Sequence, residues 1–360
     1  MATDSKTTHS QTSPAWTIRA YQPGDEHALV ALFARVFGRS ITEAHWLWKL
    51  KGRPSPVENV WLAVHDDRPI FQYAGIPVHY RLPNGERHAM VSVDTMTDPH
   101  FQRRGLLTQV GQYAYDAWRA AGVSFVIGLP NQRWGSRTGA LGWVELFPLQ
   151  WLVRPLRPAS MIARRVTAPA VSRFTPLDAI WNSYWTRRSQ HDATIHIRPV
   201  TDAGPEFDAL WQAACDGIPI SVVRDSAWVA WRYLNPPSFD YRLLLAERAG
   251  QPVGYAAYRL DESSGRKVGA LAELFVGRDD VKARDMFVRR VVEELRAAGA
   301  EVVATLAVPG AALYRAFRRA GFFPRAAFSV QIVPLQPDLP MEILRDPQQW
   351  SLAGGDFDVI

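Results

Sequence analysis

The 360-residue chain has one cysteine, Cys215, which excludes an intramolecular disulfide and a thiolate zinc site. A lone thiol of this kind reads as a small buried hydrophobe. No apolar run approaches the roughly 20 residues that a membrane helix needs, and the N-terminus is polar rather than signal-like. Strong charge of one sign is missing too: 41 Lys and Arg against 35 Asp and Glu leave +6. The arginine pairs (Arg103/Arg104, Arg164/Arg165, Arg187/Arg188, Arg289/Arg290 and Arg318/Arg319) are scattered, without the basic stripe and motif of a nucleic-acid module. These absences point to a cytoplasmic protein with no membrane, nucleic-acid or metal partner, working as a monomer or homodimer. What is present is ordinary for a globular protein: 47% hydrophobic and 21% charged residues, enough for a full core. The length suggests two domains. Residues 1–14 read as a disordered leader.

One stretch organises the rest. A β-prone run from Val91 to Thr97 stops at Asp98-Pro99 and is followed by Gln102-Arg103-Arg104-Gly105. From Leu106 onward, apolar residues at helical spacing (Leu106, Leu107, Val110, Tyr113, Ala114, Ala117, Trp118) predict a helix over 105–120. A strand that passes through a basic, glycine-bearing turn into a helix can bind a pyrophosphate. The first-turn N–H groups lack intrahelical partners, and the helix dipole favours an anion there. Gly105 lets the backbone approach the ligand. The turn has neither a Walker Gly-Lys-Ser/Thr ending nor a Gly-x-Gly-x-x-Gly fingerprint. Within the strand, Asp94 is an isolated carboxylate among Val91, Val93 and Met96, a costly placement that needs a reason. It is either a base or ammonium anchor, or a carboxylate satisfied by backbone or arginine.

Around this stretch the chain reads strand (16–21), helix (25–37), helix (42–50), strands (60–65, 69–80 and the one ending at Thr97), helix (105–120), strand (123–129), helix (131–141) and strand (143–153). Much of it then recurs. Ile18-Arg19 returns as Ile197-Arg198, Gly75 as Gly254, and Leu141-Gly142-Trp143 as Ala320-Gly321-Phe322, all 179 residues on. His45-Trp46-Leu47-Trp48 is echoed by Ala227-Trp228 and Trp231. One long period means a duplicated domain: residues 15–155, a linker 156–194 with a helix near Leu177–Trp185, a second domain 195–334, and a tail 335–360. The same offset carries Gly105 onto Arg284, among Asp279, Asp280 and Asp285, where an anion would be repelled.

Gln102-Arg103-Arg104-Gly105-Leu106-Leu107 resembles the Gln/Arg-x-x-Gly-x-Gly/Ala signature of GNAT acetyltransferases, with Leu107 departing from the usual small residue. The resemblance implies an α/β (α+β) fold of two tandem GNAT domains, each a mixed, splayed sheet flanked by helices, the second degenerate. It implies acetyl-CoA as co-substrate, with the pyrophosphate gripped by Gln102, Arg103, Arg104, Gly105, Leu106 and Leu107. Backbone groups of Thr95, Met96 and Thr97 would hold the pantetheine arm, and Asn131 would contact the cofactor or cap a helix. Asp94 is the first candidate for the base. The family's usual tyrosine acid is replaced by Thr138, so Ser136, Thr138 or water is left to protonate the thiolate. Val93–Pro99, Leu129-Pro130-Asn131, Trp231-Arg232-Tyr233 and the tail Trp350…Gly355-Asp356-Phe357-Asp358 resemble GNAT proteins associated with polysaccharide and amino-sugar modification. The implied function is acetyl transfer to a primary amine of a small molecule, an amino sugar being the implied class. A non-catalytic acyl-CoA sensor or scaffold, favoured by the missing tyrosine, and a Fem-type aminoacyl transferase, disfavoured by the intact turn, are the alternatives. Trp46, Trp48, Trp228 and Trp231 read chiefly as core. Asp356 and Asp358 either fold back on the cleft or belong to a frayed terminus.

Overall fold

The computed structural model describes residues 16–130, 134, 137–159, 161–162, 175–187, 191–263, 265–277 and 279–358. The chain runs β1 (Thr17–Ala20), α1 (Glu26–Phe37), α2 (Glu43–Lys51), β2 (Val60–His65), β3 (Arg68–Leu82), β4 (Gly85–Thr97), α3 (Leu106–Ala120), β5 (Phe125–Gly128), α4 (Arg137–Ala140) and β6 (Val144–Pro155). After α5 (Thr175–Thr186) come β7 (Ile195–Val200), α6 (Pro205–Ala214), β8 (Ser221–Val222) and α7 (Ser226–Val229), the last continued by a π-helical turn, Ala230–Leu234. Then follow β9 (Arg242–Arg248), β10 (Gln251–Ser263), β11 (Arg266–Val276), α8 (Val281–Ala297), β12 (Val302–Ala307), α9 (Ala312–Arg319) and β13 (Phe323–Pro334). No described helix is long and apolar enough to cross a membrane.

Local chemistry sets these boundaries. Thr42 caps α2, its hydroxyl accepting from His45 N at 3.1 Å. Gly38 ends α1 in the left-handed region, φ 69°. Helix α3 buries Leu106, Val110, Gly111, Ala114, Tyr115 and Trp118. Tyr113, expected on that face, is 46% exposed, and Tyr115 takes the buried place. The spacing allows either; the sheet beneath selects the residues nearest it.

The two expected sheets are joined into one, in the order β1-β2-β3-β4-β5-β13-β6-β12-β11-β10-β9-β7, with β8 added to β3. Only β4–β5 and β11–β12 among these neighbours are parallel. Strand β6 does not pair with β5; it pairs with β13 and β12, while β13 pairs with β5. Each stretch therefore gives its last strand to the other. The exchange is reciprocal: Phe323 faces Val153 and Ile332 faces Val144, so exchanging residues 179 apart turns one pair into the other. Trp48 and Trp231 obey the same approximate two-fold. Their rings stack with centroids 5.4 Å apart, Trp48 Nε1 donates to Trp231 O at 2.9 Å, and Trp231 Nε1 donates to Trp48 O at 3.0 Å. Trp46 and Trp228 are buried, so all four tryptophans serve packing.

The 179 offset holds for β1 and β7, β4 and β11, and β6 and β13, and drifts between them. The hairpins His65–Arg68 and Arg248–Gln251 lie 183 apart, so Gly75 and Gly254 are not equivalent. The N-caps of α3 and α8 are Gly105 and Asp280, 175 apart. Between the first hairpins and the ends of β4 and β11 the shift comes from strand length: β3 and β4 have 15 and 13 residues, β10 and β11 have 13 and 11.

Candidate functional site

Strands β4 and β5 pair only over Ala89–Val91 with Phe125–Ile127. Beyond that ladder they part, and a cleft opens between them. Its inner part, about 210 Å³, is lined by Ser92, Asp94, Thr95, Leu129, Arg39 and Asp358, among others. Its outer part, about 670 Å³, reaches Thr97, Phe101, Gln102, Arg103 and Gly105–Leu107. Phe37, Thr95 and Trp134 belong to both, making one continuous groove.

A β-bulge aims side chains into this groove. Between the pairs Gln72–Met96 and Ala74–Val93, β4 spends two residues, Asp94 and Thr95, against Tyr73 alone. Asp94 takes φ 45°, a region that non-glycine residues seldom visit. Its carbonyl accepts from Gln72 Nε2 at 3.1 Å, and Gln72 Oε1 accepts from Trp46 Nε1 at 3.1 Å. The strained residue is thus held from the core.

The Asp94 carboxylate is 6% exposed and lies 2.5 Å from Lys49 Nζ, whose side chain is 2% exposed. The same ammonium lies 2.8 Å from Asp358, which reaches in from the C-terminal tail. Burial raises the Asp94 pKa; Lys49 opposes the rise and Asp358 adds to it. Burial would lower that of Lys49, but the two carboxylates outweigh it and lift it to about 12. Burial works against Asp358 ionisation, yet Lys49 and Arg232 hold its pKa below the usual carboxylate range. Nearby, burial and Lys49 push His45 down to about 4, so its imidazole is neutral at pH 7. One ammonium is shared between two carboxylates, with Arg39 and Arg232 beside them, which leaves a buried carboxylate disposed to take a proton.

At the outer end, Asp98 caps a single turn, Pro99–Phe101, accepting from His100 N at 3.1 Å, and pairs with Arg35 at 3.0 Å. Arg103 (φ 63°) and Gly105 (φ 81°) both take left-handed conformations, which folds the turn over the start of α3. Gly105 is the N-cap and offers no side chain to the first-turn amides. Arg104 turns away, its guanidinium 5.0 Å over Phe101 and donating to His100 O at 3.2 Å.

The groove brings together Asp94, Thr95, Thr97, Gln102, Arg103, Gly105, Leu106 and Leu107. Met96 is not among its lining: strand alternation points it into the core, 1% exposed. Arg104 is also outside the lining. Asn131 and Ser136 lie outside the described residues, as does the side chain of Thr138, whose backbone is in α4. Lys49, Arg39, Phe37 and Trp134 are site residues that sequence reasoning missed. Lys49 carried one readable signal: it lies one position after the duplicated Trp48. Acetyl-CoA fits what is present. The groove is long, its outer end has a basic residue and a helix start without a side-chain cap, and Thr95 Oγ1 is buried without a hydrogen-bond partner among the described residues.

The second half lacks this arrangement. In α8 the N-cap Asp280 turns its own carboxylate onto Ala283 N at 3.0 Å, filling the place an anion would take. Arg284, the residue expected to replace Gly105, instead sits within the first turns of α8 and donates to Gly277 O at 3.1 Å. Counting from the parallel ladders, the counterpart of Asp94 is Glu273. It is buried with Arg224 (3.0 Å), which also holds Asp356 (2.8 Å). Burial pushes Glu273 up to about 7, against the pull of Arg224. It faces packed protein rather than a groove.

Residues 17–144 match the model of the family described as Acetyltransferase (GNAT) domain. No curated protein matches the chain. Among solved structures, a GCN5-related N-acetyltransferase from Anabaena variabilis is similar at TM-score 0.63 and 11% identity, over 89% of this chain and 73% of its own. A conserved protein of unknown function from Enterococcus faecalis, described as a probable N-acyltransferase, is similar at TM-score 0.64 and 10% identity, over 89% and 73%. At such identities the likeness is one of fold. The chain thus has the mixed α/β architecture of the GNAT fold, and its residues 17–144 are similar in sequence to a GNAT acetyltransferase domain.

Proposed function

We propose that the protein is an N-acetyltransferase that moves an acetyl group from acetyl-CoA to the primary amine of a small molecule, with an amino sugar as the acceptor class. One observation carries this reading: a single groove runs from the helix start at Gly105 to a buried, partly neutralised carboxylate at Asp94. Acetyl-CoA supplies the acetyl group as a thioester. The α3 amides and Arg103 bind its phosphates, and the β4 edge at Thr95 and Thr97 lies along its arm. The Asp94 and Asp358 carboxylates in the wall of the inner pocket receive a cationic amine. Asp94 accepts a proton from that ammonium, freeing the lone pair for the C–N bond that forms as the C–S bond breaks; the second proton that the nitrogen sheds on becoming an amide passes through solvent to the departing thiolate. The inner volume of about 210 Å³ suits a small acceptor rather than a charged transfer RNA end. A thiol-release assay over a panel of amines tests the proposal. Turnover with amino sugars or other small cationic amines is expected. Acetyl-CoA bound without turnover on any amine would leave a sensor instead.

A further inference from the structure

The C-terminal residues run across both halves. The second half has its own parting strands: β11 and β12 pair only over Val268–Ala270 with Val302–Ala304. Beyond lies a cleft of about 90 Å³, lined in part by Leu274, Val276, Val308 and Leu313. Leu274 and Val276 stand 179 residues after Thr95 and Thr97, which line the first groove, on strands that the parallel ladders place in correspondence. The counterpart cleft is walled by the chain itself. Gln348–Leu352 line it, with Ile220 N donating to Gln349 O at 3.0 Å and Ser351 N donating to Ile220 O at 2.9 Å. Trp350 is buried there, its ring centroid 5.6 Å from that of Phe147.

From this anchor the strap crosses to the first half. Asp356 is fixed by Arg224 at 2.8 Å and by Ala353 N at 2.8 Å. Arg232 donates to Gly355 O at 2.8 Å and to Phe357 O at 3.3 Å. No side chain fits at Gly355, where a Cβ would run into the Tyr233 hydroxyl. The strap therefore arrives in one register, with Asp358 against Lys49.

Resting on the reading of Asp94 as the base, we propose that Asp358 is a positioning residue for the first groove: delivered by a strap anchored in the second cleft, its carboxylate shares the Lys49 ammonium with Asp94 and so leaves Asp94 free to take a proton. Alone with Lys49, Asp94 would form a complete buried ion pair, the state least inclined to accept a proton. Among the described residues, the charged and titratable groups facing the pair are Lys49 and His45 from α2, Arg39 after α1, Arg232 from the π-helical turn and Asp358 from the strap. Of these only Asp358 adds negative charge beside Asp94.

The test follows the Asp94 carboxyl carbon by NMR through a pH titration of the full chain, with assignment by Asp94→Asn. Asp358→Asn removes the like charge, so the Asp94 midpoint should move to lower pH, and Asp358→Glu should return it toward the wild-type value. The acid limb of kcat/KM should move the same way. An Asp94 midpoint that is unchanged or higher in Asp358→Asn overturns the proposal. Asp358 is 27% exposed, so its neutralisation leaves the core in place, and Asp358→Ser repeats the test with a smaller side chain. The titration needs no substrate, so it reads the proposal even if no amine is turned over.

Discussion

Asp94 combines three features that seldom coincide: positive φ, a bulge and a buried carboxylate. Burying an ion costs several kcal/mol unless it is paired, and Lys49 supplies the pairing. The cost is met only in part because Asp358 claims the same ammonium, and the proposed role as base rests on that residual imbalance. Replacing it tests the role. Asp94→Asn keeps size and hydrogen bonding to Lys49 but cannot accept a proton, so kcat for amine acetylation should fall by about 10²- to 10⁴-fold, with acetyl-CoA affinity unchanged by calorimetry. Wild-type turnover in the variant would return Asp94 to a structural role. The residue was legible beforehand because a lone carboxylate in an apolar strand announces an unusual environment. Its partner was not: Lys49 sits in Trp48-Lys49-Leu50-Lys51, where a lysine reads as a solvated helix face, and only the tertiary fold buries it.

Strands and helices were largely readable, because alternation, caps and glycines act locally. Thr42, Gly38, Asp98 and Gly105 each do in the structure what their chemistry suggests. Pairing between distant strands was not readable. Both β6 and β13 have equal claim by sequence to either neighbour, and the exchange is decided by the chain connection and the joint burial of the two sheets. The exchange makes a specific prediction. Residues 16–155 alone carry β5 with no β13 beside it and β6 with no β12. An exposed, unpaired edge of this kind seeks another strand. Because the β6–β13 pairing follows the 179-residue symmetry, β6 of one copy can stand where β13 stood in another. Size-exclusion chromatography with light scattering should show this fragment as a dimer or larger species. A stable, folded monomer would contradict the account of the exchange.

At the scale of the molecule, two similar halves share one sheet and do different work. The first keeps an open groove and a helix start without a side-chain cap. The second caps its helix with Asp280, buries Glu273 against Arg224 and Asp356, and gives its cleft wall to the C-terminal strap. Its contribution to the site is mechanical: Arg232 and Arg224 hold the strap that carries Asp358 to Lys49. The period in the sequence pointed to a repeat, and the loss of one glycine turn hinted at the asymmetry. The strap was readable only as one of two alternatives for Asp356 and Asp358, since nothing local decides where a tail will dock. The central claim is one coenzyme groove per chain, entered over Gly105, and calorimetric titration with acetyl-CoA tests it most directly. The account predicts a single site per chain that disappears in Gly105→Arg, where a side chain would stand over the helix start. Two sites per chain, or binding that survives Gly105→Arg, would contradict it.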